Sequence, residues 1–213
     1  MNVRELFDRQ DLEPLGPVQL KDAHLHQFPD SRGVYVVSGT DDPNSNKSIK
    51  FELNKKRMND WISRASEMSV DKTPASIKYL SQRLEEFWHP DQSILYIGQT
   101  GKGLKTRIKQ MLKHAGLLSN ISHMLGEKRP HRGGHWLYTL KRLPDLYLFY
   151  SEILDKRHEH EVELRMLENF IESTGNISLA SLPWANIDLK FEGFPLRLGI
   201  SGRKEHGIGK QAE

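Results

Sequence analysis

The sequence predicts a mixed α/β fold of the α+β type: a small central antiparallel three-stranded sheet flanked by helices and interrupted by a helical insertion. Three observations carry that expectation. Three short runs, Gly33-Val34-Tyr35-Val36-Val37-Ser38, Ser93-Ile94-Leu95-Tyr96-Ile97-Gly98 and Leu146-Tyr147-Leu148-Phe149-Tyr150, have the β-branched and aromatic content of strands. The stretches between and after them space apolar residues three and four apart, as amphipathic helices do. And 213 residues that are 37% hydrophobic suffice for one domain with a real core.

Residues 1–32 read as an N-terminal arm ending in the turn Phe28-Pro29-Asp30-Ser31-Arg32, which launches the first strand. Gly39-Thr40-Asp41-Asp42-Pro43 breaks that strand and opens an insertion over about 41–92. Two helices are expected there, one carrying Met58, Trp61, Ile62 and Ala65. The other starts at Thr73-Pro74 and carries Ile77, Leu80, Leu84 and Phe87. The insertion is expected to lie outside the core. After the second strand, Gly101-Lys102-Gly103 is a loop, and Leu104, Ile108, Met111 and Leu112 then share one helical face while Lys105, Lys109 and Lys113 share another. Leu117 to Leu125 reads as a short helix, 126–134 as a basic loop and Trp136 to Leu143 as a helix. Val162, Met166, Leu167, Phe170 and Ile171 set a helix over Glu159 to Glu172. The core domain is thus expected over 33–190, with 191–213 a partly disordered C-terminal extension, glycine-rich and without apolar periodicity.

A mean hydropathy of −0.63 argues against a membrane span. Met1 to Leu20 is too acidic and too polar for a targeting segment. The absence of cysteine excludes disulfides and thiolate zinc sites, and a reducing cytoplasmic location is expected. The net charge is +3, yet residues 99–142 carry +9 and the remainder −6. Ten lysines and arginines in that block face Glu127 alone, the footprint of a surface that holds a polyanion. An ordinary solvated helix would interleave Glu with Lys.

The residues with chemical potential form an ordered set: Gly33-Val34-Tyr35, Tyr96-Ile97-Gly98, Arg107 on the following helix, Glu163 on a later one, and Pro183-Trp184-Ala185-Asn186. In this order the set resembles the GIY-YIG nuclease family, over roughly Gly33 to Asn186 without the insertion. The resemblance implies catalytic roles for Tyr35, Tyr96, Arg107, Glu163 and Asn186, with Asn176 the alternative to Asn186. Glu163 is preferred over Glu161 and Glu168 because apolar Met166 and Leu167 follow it at three and four positions. Two features depart from the pattern. Tyr35 and Tyr96 stand 61 positions apart where the family has a short hairpin, and the step from Glu163 to Asn186 is long. The implied activity is that of a Mg²⁺- or Mn²⁺-dependent endonuclease acting on DNA, with a restriction-type role favoured over repair. The alternatives are a catalytically inactive nucleic-acid binding module, or a nuclease acting on RNA or on branched or damaged DNA. A homodimer is compatible with each.

The residue types suit that chemistry on their own terms. Phosphodiester hydrolysis needs an activated water, a stabilised equatorial charge and a neutralised leaving oxygen. Glu163 can hold one Mg²⁺ largely through waters. Arg107 offers a permanent charge and a forked donor set for phosphate. Tyr35 is the choice for the base, since a neighbouring cation favours its ionised form, and Tyr96 positions the phosphate or the water; the two roles are exchangeable. His114, two helical turns beyond Arg107, would assist proton transfer. Lys102, Lys105, Lys109 and Lys113, with Lys128, Arg129 and Arg132 in the basic loop, are expected to grip backbone phosphates. Taken singly, the tyrosines read as packing residues, Arg107 as a solvated cation, Glu163 as an acid favouring a helix dipole and His114 as a surface residue. His131 and His135 have a ligand-like spacing, but Gly133-Gly134 between them and the lack of a third ligand argue against zinc.

Overall fold

The computed structural model describes residues 1–65, 67–118, 132–155, 157–174, 182–186 and 208–210. In chain order its elements are α1 (Val3–Asp8), β1 (Leu15–Gln19), β2 (Gly33–Ser38), α2 (Lys55–Arg64), β3 (Met68–Val70), β4 (Thr73–Pro74), α3 (Ile77–Glu86), β5 (Ile94–Thr100), α4 (Leu104–His114), α5 (Arg132–Tyr138), β6 (Tyr147–Glu152), α6 (Glu159–Thr174) and β7 (Ile208–Lys210), with a single 3-10 turn at Trp184–Asn186 beside β5. No described helix is long and apolar enough to cross a membrane.

All six residues of β2 are buried, which fits a strand covered on both faces and paired on both edges. It lies between β6 and β5, antiparallel to each, and β1 completes a four-stranded sheet in the order β1-β6-β2-β5. The expectation of three strands is therefore corrected to four. The fourth strand comes from the presumed N-terminal arm, which is built into the fold: β1 pairs with β6 as Val18 opposite Leu148, and Val3, Leu6 and Phe7 of α1 join the core. Both α4 and α6 pack against β2 and β5.

The insertion returns the chain to the edge of β2, so that β2 and β5 pair directly across 61 positions. Its two helices are present, but Thr73-Pro74 is a strand of a hairpin with β3 and not a helix start; Ser76 caps α3 by accepting a hydrogen bond from the Tyr79 amide. Nor does the insertion stand apart from the core. Met58, Leu80, Leu84 and Phe87 are buried in the same apolar cluster as the sheet, and the Trp184 indole donates to the carbonyl of Leu84 at 2.9 Å. β7, from the expected disordered tail, pairs with β3.

Between α4 and β6 the expected boundaries shift. Leu117 and Leu118 are not helical, and the rest of that expected helix lies outside the described residues. α5 begins at Arg132 and runs through Gly133 and Gly134, which the sequence assigns to a loop, and it ends at Tyr138 instead of Leu143. Packing overrides the low helix propensity of glycine here, because Trp136 and Leu137 bury against the core.

Candidate active site

Tyr35 on β2 stands opposite Gly98 on β5. Direct partners in an antiparallel ladder point to the same face, and so does Tyr96, two positions before Gly98. The two rings meet there with centroids 5.8 Å apart at an interplanar angle of 46°, both buried. Gly98 makes the room: a Cβ in its place would lie 2.6 Å from Tyr35 Cζ and 2.6 Å from Tyr96 Cε1.

The loop after β5 sets the angle at which α4 leaves the sheet. Thr100 Oγ1 accepts from the amides of Lys102 and Gly103 at 3.2 and 3.3 Å, and Gly103 takes φ 149°, a conformation that a side chain would strain. One turn into α4, Arg107 reaches back to hydrogen-bond Tyr35. Glu163, one turn into α6, is only 6% exposed and acts electrostatically on both tyrosines and on Arg107. Four residues distant in sequence are thus in mutual electrostatic contact.

Burial raises the pKa of Tyr35, with Arg107 and the hydrogen bond to Tyr96 pulling it back and the charge of Glu163 adding to the rise. Tyr96 is pushed well above 10 by burial and by Tyr35. Of the two, Tyr35 is the more readily ionised, because Tyr96 donates toward it and Arg107 stands beside it. Burial also works against the charge of Arg107, but the tyrosines and Glu163 outweigh it and hold the guanidinium charged. Glu163 is raised above 4.5 by burial, opposed by His160 and Arg107.

Asn186 enters by another route. Ile97 pairs with Val36 and sits on the outer edge of β5, and the fully buried Asn186 closes that edge. Its Oδ1 accepts from the Ile97 amide and its Nδ2 donates to the Ile97 carbonyl, each at 2.7 Å. The side chain takes the place of a neighbouring strand and fixes the backbone between Tyr96 and Gly98. Asn176 lies outside the described residues, as do Lys128, Arg129 and His131, and the side chains of His114, at the last position of α4, and of Arg132, at the first position of α5.

The basic block is less bare in space than in sequence. Lys105 pairs with Asp30 at 3.3 Å, Lys141 with Glu52 at 3.1 Å and Arg142 with Asp145 at 3.1 Å, while Lys102 and Lys109 are exposed. His135, weighed above as a ligand, is buried edge-on against Trp61.

Beside Arg107 opens a depression of about 340 Å³, lined by Gln99, Thr100, Gly101, Lys102, Thr106, Arg107 and Gln110. Two atoms there, Arg107 Nε and Gln99 Oε1, are buried and have no hydrogen-bond partner among the described residues. The sequence reading missed Gln99. It also missed His160, whose Nδ1 lies 3.4 Å from Glu163 Oε2; the i, i+3 spacing on one helix was the available signal. Among the described residues no three His, Asp or Glu side chains converge as a closed metal site would require. A lone carboxylate fits Mg²⁺, which retains most of its waters and takes further oxygens from substrate phosphate. The chain matches no protein-family model, no curated protein and no solved structure.

Proposed function

We propose that this protein is a divalent-metal-dependent endonuclease of the GIY-YIG type that hydrolyses DNA phosphodiester bonds. One observation carries the reading: Tyr35, Tyr96, Arg107 and Glu163 converge from four different elements, and Arg107 also lines a depression together with Lys102. Arg107 binds a non-bridging phosphate oxygen, and its permanent charge offsets the charge that gathers on the phosphoryl group in the transition state. Tyr35, in the phenolate form that Arg107 and the Tyr96 hydroxyl favour, takes the proton of the attacking water and becomes the neutral phenol. Glu163 would hold Mg²⁺ or Mn²⁺, which supplies positive charge to the phosphate and the departing oxygen when bound. His160 keeps a proton donor against the Glu163 carboxylate and favours its ionised form.

Conversion of supercoiled plasmid to nicked and linear forms in Mg²⁺ tests this reading. Cleavage is expected in the wild type, to be stopped by EDTA and lost in Glu163→Gln. Scission untouched by both would overturn the mechanism. A second reading, a binding module that does not cut, draws support from the burial of Glu163, which favours its neutral form. It expects salt-sensitive DNA binding with no scission in any divalent metal.

A further inference from the structure

Glu163 has a nitrogen neighbour on its own helix. His160, one turn earlier on α6, brings Nδ1 to 3.4 Å from Glu163 Oε2. That is long for a charge-assisted hydrogen bond, which closes to about 2.7–2.9 Å. On the same helix Arg165 closes on Glu161 to 2.6 Å. The wider spacing is that of two ligands on one ion: metal–ligand bonds of about 2.1 Å at angles between a right angle and a tetrahedral one hold their donor atoms roughly 3.0–3.4 Å apart. Solvent reaches the pair through the imidazole, which is 44% exposed, while the carboxylate beside it is 7% exposed. Glu159 acts on His160 as a further negative charge, and Arg107 opposes it from α4. Among the described residues no third His, Asp or Glu completes a closed site, so the remaining positions of an ion there belong to water and to substrate phosphate.

The donor set also selects the ion. A carboxylate alone suits Mg²⁺, whereas an imidazole nitrogen beside it suits first-row transition ions. We propose that His160 Nδ1 and Glu163 Oε2 together hold the divalent ion, and that the nitrogen ligand makes the site one for Mn²⁺ in preference to Mg²⁺. The proposal rests on the nuclease reading for what the ion does, and on the His160–Glu163 geometry for where it binds. As a ligand Nδ1 is unprotonated, with the hydrogen of the neutral imidazole on Nε2; without metal, a proton on Nδ1 takes the ion's place against the carboxylate.

The test is a Mn²⁺ titration of the full chain in which free Mn²⁺ is counted by EPR, with Mg²⁺ affinity read from competition and the bound ion examined by pulsed EPR for the nitrogen hyperfine coupling of a coordinated imidazole. The wild type is expected to bind Mn²⁺ at least roughly tenfold more tightly than Mg²⁺ and to show that coupling. His160→Gln keeps a hydrogen-bond donor for Glu163 and loses the imidazole. It is expected to weaken Mn²⁺ binding about tenfold, to abolish the coupling and to leave Mg²⁺ affinity within about twofold. If His160 only positions the carboxylate, His160→Gln keeps the Mn²⁺ affinity or weakens both ions alike, and either result would overturn the proposal. So would a wild type without saturable Mn²⁺ binding or without the coupling, or a coupling that survives the substitution. Should His160→Gln fail to fold, His160→Ala is read in the same way. Plasmid cleavage by the same preparations separates the two ideas. Imidazole-bound Mn²⁺ without scission sinks the nuclease and leaves the site standing, whereas scission by a protein whose bound Mn²⁺ shows no imidazole coupling sinks only the ligand role of His160.

Discussion

Two arginines in this molecule have a buried Nε without a partner among the described residues, Arg107 on α4 and Arg83 on α3, and both line a surface depression with a tyrosine nearby. Their surroundings differ in charge. Arg83 is ion-paired with Asp71 and, at 3.1 Å, with Glu86, two carboxylates that are each 57% exposed, so its depression of about 240 Å³ carries a net negative charge. Arg107 faces two phenols and one buried carboxylate whose ionisation burial opposes, with Lys102 on the same rim. A phosphate entering beside Arg83 meets two negative charges. Beside Arg107 it meets two cations, Arg107 and Lys102, with the nearest carboxylates, Glu163 and Glu159, both largely buried. Counter-charge, more than the arginine itself, decides which place suits a polyanion.

The sharpest way to break that contrast is to remove each arginine in turn. Arg107→Ala is expected to lower the rate of DNA cleavage by about 10³-fold, while Arg83→Ala leaves it within about twofold. Equal losses in single-turnover assays would dissolve the distinction. The tyrosines come next: Tyr35→Phe, which removes the hydroxyl beside Arg107, is expected to slow the chemical step by about 10²-fold or more, and Tyr96→Phe by less. The reverse order would exchange the two roles.

The buried Glu163 leaves a signature in pH. Its folded pKa is raised above 4.5, so folding favours the protonated form; that contribution to stability is complete below pH 4.5 and lost as pH rises through the folded value. His160 is raised above 6.5, chiefly by its hydrogen bond to Glu163, and its contribution is likewise present below 6.5 and lost as pH rises through its folded value. Thermal melts are expected to show stability falling across this range in the wild type and a flatter profile in Glu163→Gln. On the nuclease reading, cleavage is expected to run the opposite way, with its acid limb above pH 4.5, because the carboxylate would have to ionise to hold a metal. Superimposable melting profiles would remove Glu163 from its buried setting.

Asn186→Leu deletes both hydrogen bonds to Ile97 and leaves a strand edge unsatisfied, with an expected destabilisation of about 2–3 kcal/mol readable by urea denaturation. The smallest effect concerns Lys102 and Lys109. Replacing both with alanine is expected to reduce the slope of log affinity against log salt by about 1.8 with little change in the chemical step. An unchanged slope would take the exposed face of α4 out of the DNA surface.

The elements that carry the site were the legible ones. β2, β5 and β6 have dense β-branched and aromatic runs, and α4 and α6 repeat their apolar residues at helical spacing, because each buries a continuous face. β1 was not, since Leu15-Gly16-Pro17-Val18-Gln19 has the composition of a turn; it survives as an edge strand, where a proline is tolerated. The start of α5 was hidden by Gly133-Gly134, and β3 and β4 are too short for any period to show. The tyrosine pair was readable from local words, but the engagement of Asn186 with Ile97 spans 89 positions and the unpartnered oxygen of Gln99 depends on what failed to reach it. Such facts belong to packing, which no local pattern encodes.

The most direct test of the site is the rate of plasmid cleavage as a function of Mg²⁺ concentration for the wild type, Glu163→Gln and Arg107→Ala. The expected result is a saturable rise for the wild type, no response for Glu163→Gln, and for Arg107→Ala a response over the same range of Mg²⁺ at a rate about 10³-fold lower. Coincident curves for the three proteins would contradict the claim that these residues form one catalytic site.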